Sequence, residues 1–558
     1  MSVNTEMIML GVRGGEGGVP PNRFRVLDRY TLLAFSLANL CLLGSWIETS
    51  DPTRSYWGFA SGMKNCTALI LSTGLLTAVF RAGHFLARWM LGKRGRTIGQ
   101  IAFLLVLLIP LNTVRIQFRG LLFPSLSERL GIPGLRVIMV SAAVLSAVVV
   151  LRWFDQVVGR LAWAAVAMSA LGPILFLHSG WVLLRATGAK KSASIAVVAH
   201  SVAADDLQPR VVWLVYDEMD ARIAFFERPA SLKLPEFDRF RSESVFATNA
   251  YPPAIWTLLS LPSLITGKLI SQARPVGSDE LMVTFADSGQ AVPWSKQANV
   301  FSKAGEAGFN TGLVGWAHPY CRVIGNTLNA CSWHKDRSDP EERGVHEVVL
   351  DHLRGTVDSL PFVWHASAGM RRQQWRDMYL RILQDARRLA TNRALGLVLV
   401  HWCVPHLPAI YDRFAGDFSL EGRSGYLDNL ALADRSLGEL RRTMEAAGTW
   451  EQTTIFITSD HALRANAKDL LPRWASEEAA LFAGRMDKRV PFLVKMGGQH
   501  QAFTYANRFG TLAMHEATLA ILRKEVSSPE ALMNWLDDHR FDAPKASAQR
   551  APASNQSR

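Results

Sequence analysis

The first third of this chain is far more apolar than the rest, and this division constrains the possible folds more than any other feature. Long apolar runs lie between Tyr30 and Leu184, with basic residues mainly at their ends. From about Pro209 onward, short apolar runs alternate with amphipathic segments, a pattern typical of a soluble α/β protein. The sequence therefore predicts a membrane domain followed by an extramembrane domain. Its 558 residues also exceed what one hydrophobic core usually holds.

Five apolar runs in the first third are candidates for transmembrane helices. Two of them, at 65–80 and 137–151, are shorter than the roughly 20 residues that a bilayer requires. They must therefore borrow flanking residues, or else be buried helices of a soluble fold. We predict an N-terminal bundle of about five transmembrane helices, over residues 31–47, 65–80, 98–114, 137–151 and 161–184.

Basic residues predict the orientation of this bundle. One group precedes the first run and a second lies between the second and third runs, so both segments are expected on the cytoplasmic side. With the N-terminus in the cytoplasm and an odd number of spans, the C-terminal domain is expected outside the cytoplasm. Some basic residues also fall on the outer side of the membrane. The expected location is a bacterial-type inner (plasma) membrane, crossed several times, with the C-terminal domain periplasmic or extracellular. The first group consists of Arg13, Arg23, Arg25 and Arg29, and the second of Arg81, Arg88, Lys93, Arg94 and Arg96.

Changes in composition divide the chain into five parts. Residues 1–29 are rich in glycine and polar, which predicts a disordered cytoplasmic N-terminus and not a cleavable signal peptide. Residues 30–185 are the predicted membrane domain, and 186–208 are small and polar like a linker. Residues 209–540 are the predicted globular domain. Residues 541–558, rich in Ala, Ser and Pro, are a predicted disordered tail.

The formal net charge of +13 does not require nucleic acid as a partner. Many of the basic residues flank the apolar runs, where they can contact anionic head groups, so membrane lipids are the expected partners. A basic stripe with interleaved aromatic residues, as found where proteins track a nucleic-acid strand, is not present in the sequence. We therefore predict no nucleic-acid binding.

Two of the five cysteines lie close together in the predicted exported domain. Cys321 and Cys331 are separated by nine residues in a loop that contains Pro319 and Gly325, and an oxidising compartment would permit a disulfide between them. The alternative is a pair of free thiols. The spacing disfavours a CxxC-type zinc site.

Buried strands alternate with amphipathic helices from residue 209 onward. Continuous apolar runs predict central strands at 211–216, 394–400 and 453–458. One further strand is predicted to end near residue 316, and another is predicted within residues 489–498. Helical periodicity separates them, most clearly at 370–393 and 426–447. This alternation predicts an α/β fold, with a doubly wound, mostly parallel sheet covered by helices on both faces.

Acidic, hydroxyl and imidazole side chains follow several of these strands. In open α/β sheets, ligands bind outside the carboxyl ends of the strands. The helix that is predicted to follow Pro252-Pro253 begins near Thr257, which places this hydroxyl at a helix N-terminus. The strand-end residues are Asp217, Glu218, His401, His406, Asp460 and His461, of which the last two end the stretch T-T-I-F-I-T-S-D-H.

Four of these residues offer a mixed oxygen and nitrogen ligand set. Asp217, Thr257, Asp460 and His461 would form a tetrahedral site of a kind that suits Zn²⁺ or Mn²⁺, while Ca²⁺ and Mg²⁺ stay open. A bound cation lowers the pKa of a threonine hydroxyl and makes it a nucleophile. Each residue has a structural alternative, since acids and hydroxyls also cap loops and helices.

The order of the motifs resembles the alkaline phosphatase superfamily, and within it the sulfatase-like branch. The motifs are V-V-W-L-V-Y-D-E, T-L-L-S-L-P-S-L-I-T-G, H-L-P after V-P, Y-L-D-N-L-A-L-A-D-R-S-L-G, I-F-I-T-S-D-H and V-P-F-L-V-K, which together span about 209–525. The resemblance implies that Asp217, Asp460 and His461 bind metal. It also implies a nucleophile ten residues before Gly267, which is Thr257.

The chain departs from formylglycine sulfatases at the nucleophile. Those enzymes have Cys or Ser there and Arg four residues later, whereas this chain has Thr257 and Leu261. A threonine nucleophile is similar instead to phosphoethanolamine transferases, lipoteichoic acid synthases and nucleotide phosphodiesterases. The first of these groups also resembles this chain in having five spans before an exported domain.

The remaining candidate residues stay open between several roles. Glu218 is an alternative metal ligand to Asp217. His406 could contact the substrate phosphate, protonate the leaving group, bind a second metal or be structural. Asp434 is expected to hold its helix against the site. Weaker candidates are His318, His401 and His500.

Three functions are compatible with these residues. The first is a membrane-anchored, metal-dependent phosphoryl-group transferase that acts on a lipid head group or an envelope glycan, with Thr257 as nucleophile and His406 as a second catalytic residue. The second is a sulfatase-like hydrolase of sulfate or phosphate esters, in which water is the acceptor. The third is a non-catalytic envelope protein that binds a glycan or partner through an inherited fold.

Overall fold

The computed structural model describes residues 29–50, 54–58, 62–83 and 208–539, apart from 338, 359–363, 422–423, 465–476, 479–480 and 482–486. Isolated positions between 85 and 181 are described as well. Almost all of the two predicted disordered ends and of the predicted linker lies outside the described residues.

The described helices follow the amphipathic segments of the sequence. Helices α9 and α10 cover the two segments that showed the clearest helical periodicity. The helices are α1 (Arg29–Cys41), α2 (Leu43–Ser50), α3 (Met63–Gly83), α4 (Pro235–Ser242), α5 (Thr257–Thr266), α6 (Val300–Glu306), α7 (Tyr320–Val323), α8 (Val345–Asp358), α9 (Trp364–Thr391), α10 (Tyr426–Ala446), α11 (Met514–Leu522) and α12 (Pro529–Asp538).

The strands form one large sheet and three small ones in the described part of the chain. They are β1 (Arg210–Asp217), β2 (Val245–Ala247), β3 (Ala250–Tyr251), β4 (Ile270–Pro275), β5 (Leu281–Phe285), β6 (Ala291–Pro293), β7 (Thr311–Gly315), β8 (Ala330–Trp333), β9 (Leu397–Pro405), β10 (Tyr411–Asp412), β11 (Asp417–Phe418), β12 (Thr453–Ser459), β13 (Phe492–Lys495), β14 (Phe503–Tyr505) and β15 (Phe509–Gly510). The large sheet has the order β14-β2-β13-β12-β1-β9-β7-β8.

The large sheet is mostly parallel, as the sequence predicts. Strands β12, β1, β9, β7 and β8 run parallel to one another, whereas β13 is antiparallel to both of its neighbours. Strand β1 is central, and its side chains are buried throughout. The carboxyl ends of β1 and β12 are therefore adjacent, because Tyr216 pairs with Ser459 in parallel register.

Two hydrophobic cores cover the two faces of this sheet. Because successive side chains of a strand point to opposite faces, Val211, Trp213 and Val215 of β1 lie in one core with helices α5, α6, α11 and α12. Val212 and Leu214 lie in the other core with α4, α9 and α10. This arrangement confirms the α/β fold that the alternation of strands and helices predicted.

The predicted membrane domain is only partly described, so the five-helix bundle stays a prediction. The first predicted span is two helices, α1 and α2, which are separated at Leu42 although backbone hydrogen bonds continue across it. Helix α3, with 21 residues, is the one helix in the described part of the chain that is long and apolar enough to cross a membrane. The predicted spans at 98–114, 137–151 and 161–184 lie outside the described residues, except for isolated helical positions.

Cys321 and Cys331, the pair selected from the sequence, form a disulfide between α7 and β8. We expect that replacing both cysteines with serine lowers the free energy of unfolding by about 2–3 kcal/mol, because the cross-link restricts a short loop in the unfolded chain. Chemical denaturation of the full-length protein in detergent measures this change. A reductant should destabilise the parent protein but not the double variant, and equal stability of the two proteins would contradict the prediction.

Candidate metal centre and active site

Three potential metal ligands meet at the carboxyl ends of two neighbouring strands. Asp217 is the last residue of β1, and Asp460 and His461 directly follow β12. Their side chains are buried, with at most 1% of the surface of each residue exposed. One ligand atom from each residue lies within 4.8 Å of the others. The parallel pairing of two buried strands therefore creates a compact cluster of two carboxylates and an imidazole.

Thr257, at the start of helix α5, adds a fourth potential ligand to this cluster. Its Oγ1 lies 3.2 Å from Nε2 of His461, and the same nitrogen lies 3.4 Å from Oδ2 of Asp460 and 3.8 Å from Oδ1 of Asp217. Nδ1 of His461 lies 2.9 Å from the carbonyl oxygen of Ala462, which fixes its proton there and directs the lone pair of Nε2 into the cluster. The structure thus brings together all four residues of the predicted ligand set.

The carboxylate oxygens of this cluster fit a divalent cation. Both oxygens of Asp217 and Oδ2 of Asp460 are buried and accept no hydrogen bond from any residue that the structure describes. Burial, together with the negative charge of Asp460, raises the pKa of Asp217 well above its usual range. Two unpaired buried carboxylates are costly unless a positive charge lies between them. Oxygens of Asp217, Asp460 and Thr257, together with the imidazole nitrogen of His461, are ligands of the types that Zn²⁺ binds.

The backbone around Asp460 holds the cluster rigidly. Its other oxygen, Oδ1, accepts hydrogen bonds from the backbone N–H groups of His461 (2.8 Å) and Glu218 (3.2 Å). The hydroxyl of Ser260 on α5 donates to the carbonyl oxygen of Asp460 at 2.5 Å. Helix α5 is thereby tied to the end of β12, and its first residue, Thr257, faces the metal ligands.

Thr257 lies where a negatively charged group is stabilised. It is the first residue of α5, after an extended Trp256 that ends the Pro252-Pro253 segment. The partial positive charge of a helix N-terminus favours anions at this position. Thr257 is also partly exposed, in contrast to the three buried ligands. A substrate could therefore reach the hydroxyl from solvent.

Glu218 is engaged elsewhere and is not part of the ligand cluster. Its φ angle of 63° is in the left-handed region, a strained conformation that is common at functional sites. Its carboxylate forms an ion pair with Arg464, with N–O distances of 2.5 and 2.6 Å. The geometry therefore favours Asp217 over Glu218 as the metal ligand.

His406 lies beside Glu218 and not within the ligand cluster. Its Nδ1–H donates to the carbonyl oxygen of Leu407 at 2.6 Å, and its Nε2 lies 4.0 Å from the carboxylate of Glu218. The ring packs against Trp316 and Trp375, with centroid distances of 5.3 and 5.6 Å. Burial lowers the pKa of His406, although Glu218 opposes this shift. The neutral imidazole is therefore the favoured form.

Two of the weaker histidine candidates contact the centre, and the third does not. Nε2 of His401 lies 3.7 Å from Oδ2 of Asp217, and burial lowers the pKa of His401 to about 4. Nε2 of His318 lies 3.1 Å from the carbonyl oxygen of Thr257. His500 is on the surface, with a 68% exposed side chain.

Asp434 has a structural role, but its partner is α4, whereas the sequence predicted contact with the site. It accepts hydrogen bonds from the backbone N–H groups of Phe237 (2.7 Å) and Glu236 (3.3 Å) at the start of α4. The buried carboxylate thus holds α4 against α10.

The sequence analysis missed Arg464 and the aromatic residue beside it. The guanidinium of Arg464 lies 4.6 Å above the ring centroid of Trp256, next to the nucleophile position. Arg464 follows the Asp-His pair by only three residues, and a search for a basic residue near that motif could have found it. Its guanidinium, which is paired with Glu218, places a positive charge beside the cluster.

The family model for sulfatases matches residues 209–520 of this chain. This match covers more than half of the sequence, and the chain therefore belongs to the sulfatase family. The family lies within the alkaline phosphatase superfamily, whose members hydrolyse sulfate or phosphate esters and use divalent metals. The resemblance drawn from the order of the motifs is thus confirmed.

Several solved structures are similar to this chain at low sequence identity. The PsFucS1 sulfatase from Pseudoalteromonas sp. is 14% identical, with 56% of this chain and 68% of that chain covered and a TM-score of 0.38. The phosphonate monoester hydrolase of Agrobacterium radiobacter is 14% identical, with 57% and 74% covered and a TM-score of 0.36. Murine ectonucleotide pyrophosphatase/phosphodiesterase 5 is 10% identical, with 57% and 95% covered and a TM-score of 0.34.

No curated protein matches the chain significantly. Because the structural likenesses have TM-scores below 0.5, the family assignment depends on the family model.

Proposed function

We propose that this protein is a membrane-anchored, exported phosphoryl-group transferase that depends on a divalent metal and acts on a lipid head group or an envelope glycan. The observation that carries the proposal is the position of the Thr257 hydroxyl. It lies 3.2 Å from Nε2 of His461, beside buried carboxylate oxygens that accept no hydrogen bond from any described residue. A hydroxyl in such a cluster is suited to attack an ester.

Asp217, Asp460, His461 and Thr257 would hold the cation. Once bound, Zn²⁺ or Mn²⁺ would lower the pKa of the Thr257 hydroxyl and neutralise charge on the ester oxygens. The chain's own residues then position the reactants. The N-terminus of α5 and the guanidinium of Arg464 favour the negative charge of the phosphoryl group at Thr257.

The proposed reaction has two halves. In the first, Oγ1 of Thr257 loses its proton to solvent and forms a bond to phosphorus. The bond from phosphorus to the leaving oxygen breaks, and that oxygen takes up a proton from water. In the second half, the hydroxyl of an acceptor attacks the phosphothreonine and releases Thr257. The lowered pKa of His406 suits it to accept the proton of that hydroxyl, and not to donate one to the leaving group.

The residues near the nucleophile favour phosphoryl over sulfuryl chemistry. Thr257 occupies the position of the formylglycine precursor, and Leu261 occupies that of the arginine which follows it. Leu261 is fully buried in the core beneath α5, so this position offers no charge to a sulfate ester. The threonine hydroxyl is instead the group that forms a phosphoester.

Contacts between α3 and the sulfatase domain support a membrane anchor that packs against this domain. Nζ of Lys64 donates to the carbonyl oxygen of Arg343 at 3.3 Å. Within α3, Ser72 lies 3.4 Å from Nδ1 of His352. Residues Ile70, Leu71, Leu75 and Val79 of α3 remain exposed, as expected for a lipid-facing surface. We retain residues 30–185 as the membrane domain and 209–540 as the exported catalytic domain.

Removal of metal should abolish the proposed activity. We expect the purified full-length protein to cleave a phosphodiester reporter, and a chelator to reduce the rate at least about 100-fold, because loss of the cation removes several kcal/mol of transition-state stabilisation. Adding back Zn²⁺ or Mn²⁺ should restore the rate. Reporter cleavage and metal content by elemental analysis measure both effects.

The same preparation separates the alternative functions. A lipid or glycan acceptor should become phosphorylated in parallel with reporter cleavage if the protein is a transferase. Release of free phosphate or sulfate alone, with no acceptor product, would favour the hydrolase. A protein without bound metal and without activity on any ester would instead favour a non-catalytic binding function.

A further inference from the structure

A short segment that precedes helix α3 inserts its tyrosine, Tyr56, into the sulfatase domain. Residues 54–58 lie between α2 and α3, and Tyr56 in this segment has 0% of its surface exposed. Its hydroxyl lies 2.7 Å from Nδ1 of His318, a residue 262 positions away in the sequence. The two rings are also in edge-to-face contact, with centroids 5.9 Å apart. The segment therefore contacts the domain behind the proposed nucleophile.

Further contacts hold the segment in this position. Nη2 of Arg322 donates to the carbonyl oxygens of Ser55, Tyr56 and Gly58 at 2.9 to 3.2 Å. Arg322 is held in turn by its neighbour Cys321, which forms the disulfide with Cys331. One guanidinium thus binds three carbonyl groups of the segment.

Aromatic rings enclose His318 on several sides. Trp57 of the segment and Trp294 and Tyr320 of the domain have ring centroids 5.2 to 5.8 Å from that of His318. His318 itself is fully buried. The site that surrounds this histidine is therefore built from both parts of the chain.

The hydrogen bonds of His318 define a single arrangement of protons. Its Nε2 lies 3.1 Å from the carbonyl oxygen of Thr257, and a carbonyl can only accept, so Nε2 carries the proton. His318 is fully buried and enclosed by aromatic rings, an environment that favours the neutral ring, so Nδ1 is unprotonated. The hydroxyl of Tyr56 must therefore donate to Nδ1. The result is a directed chain from Tyr56 through His318 to the backbone of Thr257.

We propose that Tyr56 is a positioning residue for the nucleophile, and that the segment at 54–58 is an integral part of the active site. Through His318, it holds the carbonyl of Thr257 and thereby the first turn of α5, from which the Thr257 hydroxyl reaches the metal ligands. This inference rests on the proposed role of Thr257. It adds that the membrane domain, besides anchoring the enzyme, completes the catalytic geometry.

Loss of the Tyr56 hydroxyl should disturb the position of Thr257. Without a donor at Nδ1, His318 can take the other tautomer, in which an unprotonated Nε2 faces the carbonyl of Thr257 and the two lone pairs repel. Displacements of about 1 Å at a reacting group reduce rates about 100-fold. We therefore expect Tyr56→Phe to lower kcat about 10- to 100-fold, with KM changed less than about threefold, because the hydroxyl does not contact Arg464 or the substrate side of the site.

The test uses the full-length protein with Tyr56→Phe and a matched control, Tyr505→Phe. Tyr505 is also a buried tyrosine, and it lies on β14 at the edge of the large sheet. Its hydroxyl donates to Asp537 of α12 at 2.9 Å. Cleavage of the phosphodiester reporter gives kcat and KM, while metal content and the thermal midpoint are measured on the same samples. The control should keep the parent kcat within about twofold.

A second variant, His318→Gln, provides a check that does not depend on one substitution. A glutamine amide can donate to the carbonyl of Thr257 from its nitrogen and accept from Tyr56 at its oxygen, and it has no tautomers. We expect Tyr56→Phe to reduce kcat by less than about threefold in the His318→Gln background, a non-additive result that identifies the pair as coupled.

The outcomes distinguish this inference from the proposed function. An unchanged kcat in Tyr56→Phe, or a fall that follows only lost metal or lost folded protein, overturns the positioning role. Equal effects of Tyr56→Phe in the parent and His318→Gln backgrounds also overturn it. Full activity of a Thr257→Ala variant would instead overturn the proposed function itself, whatever the result at Tyr56.

Discussion

Replacement of Thr257 by alanine is expected to reduce turnover of the phosphodiester reporter by at least about 10⁴-fold, since losing a nucleophile removes the covalent route entirely. The hydroxyl of Thr257 approaches the ligand cluster at 3.2 Å from His461 Nε2. The three buried ligands remain in place in this variant, so it should still bind metal, although with one donor fewer.

Thr266→Ala is the matched control for this variant. Thr266 is the last residue of the same helix, and its hydroxyl donates to the carbonyl oxygen of Pro262 and does not approach the cluster. Its loss should leave kcat within about threefold of the parent. Thr257→Ser keeps a hydroxyl on the same backbone atom and should retain a measurable part of the activity.

The phosphothreonine provides a direct readout of the same prediction. Acid-quenched samples of the parent protein, taken during turnover of a phosphorus-labelled substrate, should contain label on the peptide that includes Thr257. The Thr257→Ala variant should contain none. Parent-like turnover in the alanine variant, or label on a different residue, would contradict the assignment of Thr257 as nucleophile.

Asp460→Asn should weaken metal binding by more than about 100-fold and remove activity with it. Oδ2 of Asp460 is buried and accepts no hydrogen bond from the described residues, so its available role is to bind a cation. Asparagine places an N–H donor at this position, which repels a cation. The loss of one buried negative charge also weakens the attraction that the remaining ligands provide. Elemental analysis after dialysis against a metal buffer measures the change in affinity.

The fold should survive this substitution. The asparagine carbonyl can replace Oδ1 of Asp460 and accept from the N–H groups of Glu218 and His461, which are the bonds that hold the loop. In the presence of a chelator, the variant should unfold at a temperature no lower than the parent, because it buries one charge fewer. A variant that loses metal only because it unfolds would not support the role of Asp460.

Asp434→Asn controls for the general effect of removing a buried acid. Asp434 is also buried, but its carboxylate accepts from the backbone of α4 and is not part of the metal centre. This variant should change stability and keep the metal content of the parent. If both variants lost metal to the same extent, the assignment of Asp460 as a specific metal ligand would be wrong.

Residues of the metal centre could be selected from sequence because each is marked by a local pattern. A buried strand is recognised within six or seven residues, and Asp217 and the Asp460-His461 pair stand at the points where two such strands end. Thr257 was found through a prolyl pair and through its distance to Gly267. Gly267 does adopt a left-handed conformation, with a φ angle of 70°, at the end of α5.

The membrane domain was harder to predict from the same kind of pattern. Apolar runs indicate burial in lipid, but they do not report where a helix is interrupted. The run at 31–47 is continuous in sequence, whereas the structure separates α1 from α2 at Leu42. The run at 65–80 is short for a bilayer, yet α3 extends over Met63–Gly83 because the flanking residues continue the helix.

The sequence by itself determined the fold class, the family and the four residues of the proposed metal centre, because strand burial, helix starts and motif order are local properties of the chain. Only the tertiary structure decided which partners those residues have: Arg464 beside Glu218, and Tyr56 with His318 behind Thr257. These pairs are separated by 61 to 262 positions. Such contacts follow from how the elements pack, and a single buried tyrosine between two apolar helices has no periodicity by which the sequence could reveal its partner.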